Sequence, residues 1–122
     1  MTSTPNRAVN PVRGEVWLVD FDPSVGDEQT KPRPAVVVNV VEVGRLKLRI
    51  VVPLTDWKTR YEQFVWFVHV PKTSQNGLDK DSGADAFQVK SLSLNRFQHR
   101  FGSLTVEQMN DIAAAIALCV GY

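Results

Sequence analysis

Two runs of β-branched and aliphatic residues dominate the hydropathy of this chain: Ala35 to Val41, opened by Arg33-Pro34, and Leu46 to Val52, closed by Pro53-Leu54-Thr55. Both are too short to be helices in a domain of this size and read as neighbouring strands of a buried sheet. In the second run Leu46, Leu48, Ile50 and Val52 alternate with Arg45, Lys47 and Arg49, which predicts one buried face and one basic row. Upstream, Gly14 to Phe21 sets Trp17, Val19 and Phe21 against Val16, Leu18 and Asp20. Two mostly apolar faces predict a central strand there. Downstream, Phe64 to Val70 predicts another strand, and Phe87 with Val89 marks a further one. Between them Pro71 to Ala84, with Asn76-Gly77 and Ser82-Gly83, predicts a turn-rich loop, and Ser91 to Arg100 follows no clear period.

The end of the chain changes period. Thr105 with Gln108 forms a capping-box signal, after which Val106, Met109, Ile112, Ala113, Ile116 and Val120 recur at helical spacing until Gly121. Strands first and one amphipathic helix last, without βαβ alternation, predict a mostly antiparallel sheet or small barrel with a C-terminal helix. Residues 1–12 are polar and aperiodic and read as a flexible arm, leaving 13–122 as a single domain.

Charge and composition remove several function classes. Fourteen basic residues against thirteen acidic leave the chain at +1, so nucleic acid would have to be held by a local patch rather than a global field. Cys119 is the single cysteine, which excludes an internal disulfide and suits a reducing cytosol. No apolar stretch approaches the roughly 18 residues of a membrane span, so a soluble, cytoplasmic protein without membrane contact is expected. His69, His99 and Cys119 do not share metal-ligand spacing, and no glycine-rich phosphate loop opens a helix. No metal and no cofactor are expected, and His69 reads as a packed or hydrogen-bonded histidine.

The polar residues at the ends of the two apolar runs, Arg33 and Thr55, are the natural pair for a site. Lys31-Pro32-Arg33-Pro34 is a stiff lead-in that restricts where Arg33 can sit. A guanidinium matches two oxygens of a phosphate in a planar fork, although the same charge could simply guard a strand edge. The loop Asp22 to Lys31, with Asp27 and Glu28, is longer than a hairpin needs; it reads as a lid over Arg33 or as a solvated turn. Trp57, Lys58, Arg60 and Tyr61 mix rings and cations suited to stacking on unpaired bases and holding their phosphates, with Trp57 alternatively capping the core. The basic row of Arg45, Lys47 and Arg49 either tracks a phosphate backbone or is a solvated sheet face.

Arg13-Gly14-Glu15-Val16-Trp17 with Asp22-Pro23, then Gly26-Asp27-Glu28-Gln29, then Arg33-Pro34-Ala35-Val36-Val37-Val38, then Pro53-Leu54-Thr55 resembles the MazF/PemK (Kid) toxins of bacterial toxin-antitoxin systems. The resemblance implies an SH3-like barrel of the CcdB/PemK type, a homodimer, and a metal-independent endoribonuclease that cuts single-stranded mRNA at short sequences. Such cleavage leaves 2′,3′-cyclic phosphate and 5′-hydroxyl ends and stops translation and growth. It further implies Arg33, Thr55 and the loop residue Glu28 as catalytic. Gln29, Lys31, Trp57, Lys58 and Arg96 are the expected RNA contacts. A cognate antitoxin is implied as well, its acidic segment lying over the basic row and the RNA groove. Where some relatives carry Asp-Gln-x-Arg, this chain has Ser93-Leu94-Asn95-Arg96, and where some place a histidine before the loop glutamate it has Asp27. The general base is therefore unassigned by the resemblance. Two other readings stand beside it: a gyrase-binding toxin of the same fold, whose Trp-Gly-Ile ending is here Val120-Gly121-Tyr122, and a catalytically silent RNA-binding barrel.

Overall fold

The computed structural model describes residues 9–21, 31–40 and 46–122. Among the described residues seven strands, β1 (Glu15–Val19), β2 (Arg33–Val37), β3 (Leu48–Asp56), β4 (Phe67–Val70), β5 (Ser82–Asp85), β6 (Lys90–Ser93) and β7 (Phe97–Ser103), precede one α-helix, α1 (Val106–Cys119). All pairings are antiparallel, in the order β4-β5-β3-β2-β1-β7, with β6 also paired to β3. As the double apolar pattern of β1 requires, that strand lies between β2 and β7.

The sheet buries side chains on both faces. Val16, Val36, Val52, Leu54, Val70 and Ala84 pack against Met109 and Ile112 of α1. On the other face Val19, Ala35, Val37 and Val51 pack with Leu92 and Phe97, and Trp17, Phe21 and Leu94 lean on them. Alternation along β1 to β3 thus splits each strand between two cores, which fixes its register, because a one-residue slip would exchange the two sets.

β3 is longer than its apolar run and passes through Pro53 to Asp56. Along one edge β3 pairs with β6 as far as Val51 and with β5 from Leu54 onward. Pro53 falls in the gap between those ladders, where a missing N–H breaks no pair.

The basic row predicted on β3 does not exist as such. Arg49 is 3 % exposed, whereas Leu48 and Ile50 are 46 % and 39 % exposed. Arg49 shares the face of Val51, and its guanidinium donates to the carbonyls of Pro11, Leu46 and Leu48 and to Asn10 Oδ1. Four acceptors make up for the lost water, so the alternating pattern is present with Leu48 and Ile50 outward and only Val52 of that side in the core. Lys47 is exposed; Arg45 lies outside the described residues.

Other expectations are corrected in the second half of the chain. Phe64 to Trp66 form a turn, Phe67 N donating to Phe64 O at 3.0 Å, so the strand there begins only at Phe67. The predicted loop Pro71 to Ala84 runs into β5, and the strand expected at Phe87 and Val89 is instead a 3-10 turn (Ala86–Gln88) leading into β6. The aperiodic stretch after Ser91 contains most of β6, a 3-10 turn (Leu94–Arg96) and the start of β7. In α1 the capping box is formed in both directions between Thr105 and Gln108, and Gly121 follows the helix at φ +78°. Its buried residues are Met109, Ile112 and Ala115, while Val106 and Val120 face solvent.

Candidate active site on the β2–β3 edge

Arg33 and Thr55 come together through strand register. Ala35 pairs with Pro53, Val36 with Val52 and Val37 with Val51. Continued by two positions, the same register sets Arg33 across from Thr55, beyond the last apolar pair. Both belong to the alternation set of Ala35, Val37 and Val51, so both stand on the face of the smaller core. Arg33 also pairs with Val19 on its other side, and Thr55 pairs with Gly83, which in turn pairs with His69. One row therefore crosses the sheet from β1 to β4 as Val19, Arg33, Thr55, Gly83, His69.

The row changes character along its length. Val19 is buried, Arg33 is exposed, Thr55 is half-buried, and Gly83 contributes no side chain. Among the described residues Arg33 takes part in none of the ion pairs, so its fork of donors faces outward. A hydroxyl beside a free guanidinium at an open strand end suits the non-bridging oxygens of a phosphodiester.

Trp57 follows Thr55 on the same face, its backbone N–H donating to Asp81 O at 3.0 Å, which extends the strand geometry past Asp56. The indole stacks on the His69 imidazole at 4.2 Å and 18°, and it meets Tyr61 edge-on at 5.7 Å. A Cβ built on Gly83 would stand 3.0 Å from Trp57 Cε3, so the glycine is what lets the indole lie flat on the sheet. Behind it Tyr61 stacks on Phe67 at 4.1 Å, with the Arg60 guanidinium 5.3 Å from the Tyr61 ring centre. Lys58 is exposed at the start of the 3-10 turn Thr59–Gln63. The structure thus brings Trp57 and Lys58 to the site's flank. His69, read from sequence as a packed histidine, is exposed and part of the ring cluster. Its place was missed because only the β5 pairing carries it beside Thr55.

Arg96 stands at the other end of the row. Its Nη1 lies 3.9 Å from Asp20 Oδ2, and the Asp20 N–H donates to its carbonyl at 2.9 Å. Arg33 and Arg96 therefore flank the C-terminal end of β1 on either side. Asp20, which the sequence did not single out, has its Oδ1 buried without a hydrogen-bond partner. Lys31 is exposed just ahead of β2. Glu28 and Gln29 lie outside the described residues, as do Asp27 and nearly all of the candidate lid. Among the described residues no three His, Cys, Asp or Glu side chains cluster as metal ligands, and no helix is long and apolar enough to cross a membrane.

Comparison with known proteins shows the family to which this fold belongs. The chain is 30% identical over 112 residues to Endoribonuclease MazF9 of Mycobacterium tuberculosis (strain ATCC 25618 / H37Rv), covering 87% of this chain and 92% of that protein. It superposes with a TM-score of 0.75 and 20% identity on MazE-MazF (Form-II) from Deinococcus radiodurans, covering 93% of this chain and 97% of that one. An endoribonuclease in complex with its cognate antitoxin from Mycobacterial species matches at a TM-score of 0.70 and 21% identity, over 91% of this chain and 95% of that one. The likeness to the solved structures is one of fold, the antiparallel sheet with a C-terminal helix. The family profile described as PemK-like, MazF-like toxin of type II toxin-antitoxin system spans residues 12–120, and the chain belongs to that family.

Proposed function

We propose that the protein is a toxin endoribonuclease that cuts single-stranded mRNA without a metal ion, using Arg33 and Thr55. The observation that carries this reading is the β2–β3 register, whose last pair is Ala35 with Pro53: continued by two positions it sets Arg33 across from Thr55, on the face that also holds the Trp57 ring cluster. Family membership and relatives named endoribonuclease support it.

In the proposed reaction the ribose 2′-oxygen attacks the adjacent phosphorus while the bond from phosphorus to the 5′-oxygen breaks. The 2′-hydroxyl proton leaves to a base, a proton reaches the departing 5′-oxygen, and the products are a 2′,3′-cyclic phosphate and a 5′-hydroxyl. Arg33 holds the negative charge that develops on the non-bridging oxygens and is suited to pass a proton. Thr55 Oγ1 donates a hydrogen bond to one of those oxygens. Glu28 is assigned to the loop over the site, as base or as its positioning group. Lys31, Gln29, Lys58 and Arg96 hold flanking phosphates, and Trp57 anchors the base-stacking rings. The protein works as a homodimer in the cytoplasm, held inactive by a cognate antitoxin; solved relatives in antitoxin complexes support the partner. With Arg49 buried, the antitoxin's acidic segment has no basic row on β3 to cover, and the RNA groove is its remaining target.

The deciding experiment incubates the purified protein with a long unstructured RNA in EDTA. Cleavage is expected, and it stops at any site where the 2′-hydroxyl is replaced by hydrogen. Arg33→Lys keeps the charge but not the planar fork. Loss of one preorganised donor lowers such rates on the order of 100- to 1000-fold, so Arg33→Lys and Arg33→Ala should both fall at least that far with melting temperature nearly unchanged. An Arg33→Lys protein that folds and cuts at the wild-type rate would move the site elsewhere.

A further inference from the structure

We infer that the Trp57–His69 stack is a base-binding subsite, in which the exposed face of the His69 imidazole takes one unpaired base of the RNA next to the cleaved phosphate. This rests on the endoribonuclease reading and extends it to a residue, His69, with no role in that reaction so far.

Three observations point to it. His69 lies in the same cross-strand row as Arg33 and Thr55, separated from Thr55 only by Gly83. Two strand spacings put it about 10 Å away. A base on the same strand as the cleaved phosphate reaches that far. Second, Trp57 covers one face of the imidazole at 4.2 Å and 18°, while His69 itself remains exposed. His69 also lines a groove of about 550 Å³ between β4 and α1, together with Phe67, Val68 and Asp111. The indole holds the ring in one plane, and the residue remains exposed. Third, the indole is itself fixed, by Tyr61 against its edge and by the absence of a side chain at Gly83. A histidine needed only for packing would be buried or hydrogen-bonded; this one is an exposed ring on a rigid aromatic support, with Lys58 and Arg60 exposed close by in sequence to Trp57. Aromatic faces stacked on unpaired bases are the common means of holding single-stranded RNA, and every base offers a face to them.

The test measures equilibrium binding of a short single-stranded RNA made uncleavable by a 2′-deoxy sugar at the cut site. An abasic sugar is then moved through the flanking positions one at a time. With the wild-type protein one flanking position should stand out, its abasic form binding roughly 5- to 150-fold more weakly. His69→Ala should weaken binding of the intact RNA by a similar factor and be indifferent to the abasic sugar at that position, while His69→Phe, which keeps a stacking face, should bind near wild type. His69 is exposed, so these variants are expected to fold. Independent, multiplying losses from His69→Ala and the abasic sugar would overturn the proposal. So would a His69→Ala protein that binds RNA normally but loses self-association or antitoxin binding, which would assign the ring pair to a protein interface. A wild-type protein that cuts RNA yet shows no abasic-sensitive position rejects the subsite alone, whereas one that neither binds nor cuts RNA rejects the endoribonuclease reading with it.

Discussion

Two arginines with opposite fates show how little a residue type decides by itself. Arg33 sits at a strand end with its guanidinium facing outward, and Arg49 is inside, spending its donors on four protein oxygens. Three of those acceptors are main-chain carbonyls that would be stranded by removal of the guanidinium. Arg49→Met, similar in length, should therefore lower stability by about 2 kcal/mol or more, since each unsatisfied buried acceptor costs on the order of 1–3 kcal/mol. Urea unfolding is the measurement; an unchanged midpoint would mean that water replaces the guanidinium without loss. Because Arg49 ties residues 10 and 11 to β3, the variant should also expose the segment ahead of β1 to protease. Thr55 asks the complementary question at the site. Thr55→Val preserves shape, so cleavage should drop by on the order of 100-fold or less while the unfolding midpoint stays within error. Activity at the wild-type level would leave the hydroxyl without a part in the reaction.

Elements whose own residues carry the signal were legible, and those made by their neighbours were not. The helix declared itself through Thr105, Gln108 and its apolar spacing, and β1 to β3 through their β-branched runs. β5 reads Ser-Gly-Ala-Asp, which resembles a turn; it is a strand because β3 and β4 pair with it on both sides and two rings need the space at Gly83. β7 has mostly polar, half-exposed side chains and is drawn into the sheet by β1. The same reasoning applies to the candidate site: Arg33 and Thr55 were readable as the ends of two apolar runs, but the place of His69 beside them was not, since its neighbours in space come from a strand with no strand-like sequence. A pair of substitutions separates the two kinds of constraint. A Cβ on Gly102 would lie 2.1 Å from Gln75 O and 2.8 Å from Asn76 C, both backbone atoms that cannot step aside. Gly102→Ala should consequently displace the turn at residues 74–76 from β7 and lower the melting temperature far more than Thr105→Ala, which removes a cap worth about 1 kcal/mol. Circular dichroism melts of both variants rank them, and a Gly102→Ala protein as stable as Thr105→Ala would show that the turn moves freely.

At the scale of the whole molecule, a toxin that acts on RNA while carrying a net charge of only +1 must hold its substrate by few, well-placed contacts. The acidic residues that cancel the field are spread over the chain, whereas Arg33, Lys58 and Arg60 are exposed on or beside one face. Non-specific attraction is then weak, and recognition falls to stacking and to the geometry at the cut. This has a thermodynamic signature. Each neutralised phosphate of a single strand contributes about 0.7 to the slope of log affinity against log salt. With the four cations assigned to phosphates, Arg33, Lys31, Lys58 and Arg96, the slope should be near −3, so raising salt from 50 to 200 mM should weaken binding of the uncleavable RNA by roughly 50-fold. A highly basic binder making 6–10 phosphate contacts loses about a thousandfold or more over that range. Arg33→Ala should flatten the slope by about 0.7, while His69→Ala should leave it unchanged, because a stacked ring releases no counterion. A slope as steep as that of a strongly basic protein, or one unmoved by Arg33→Ala, would show that the RNA is held on some other surface than the face shared by Arg33, Thr55 and Trp57.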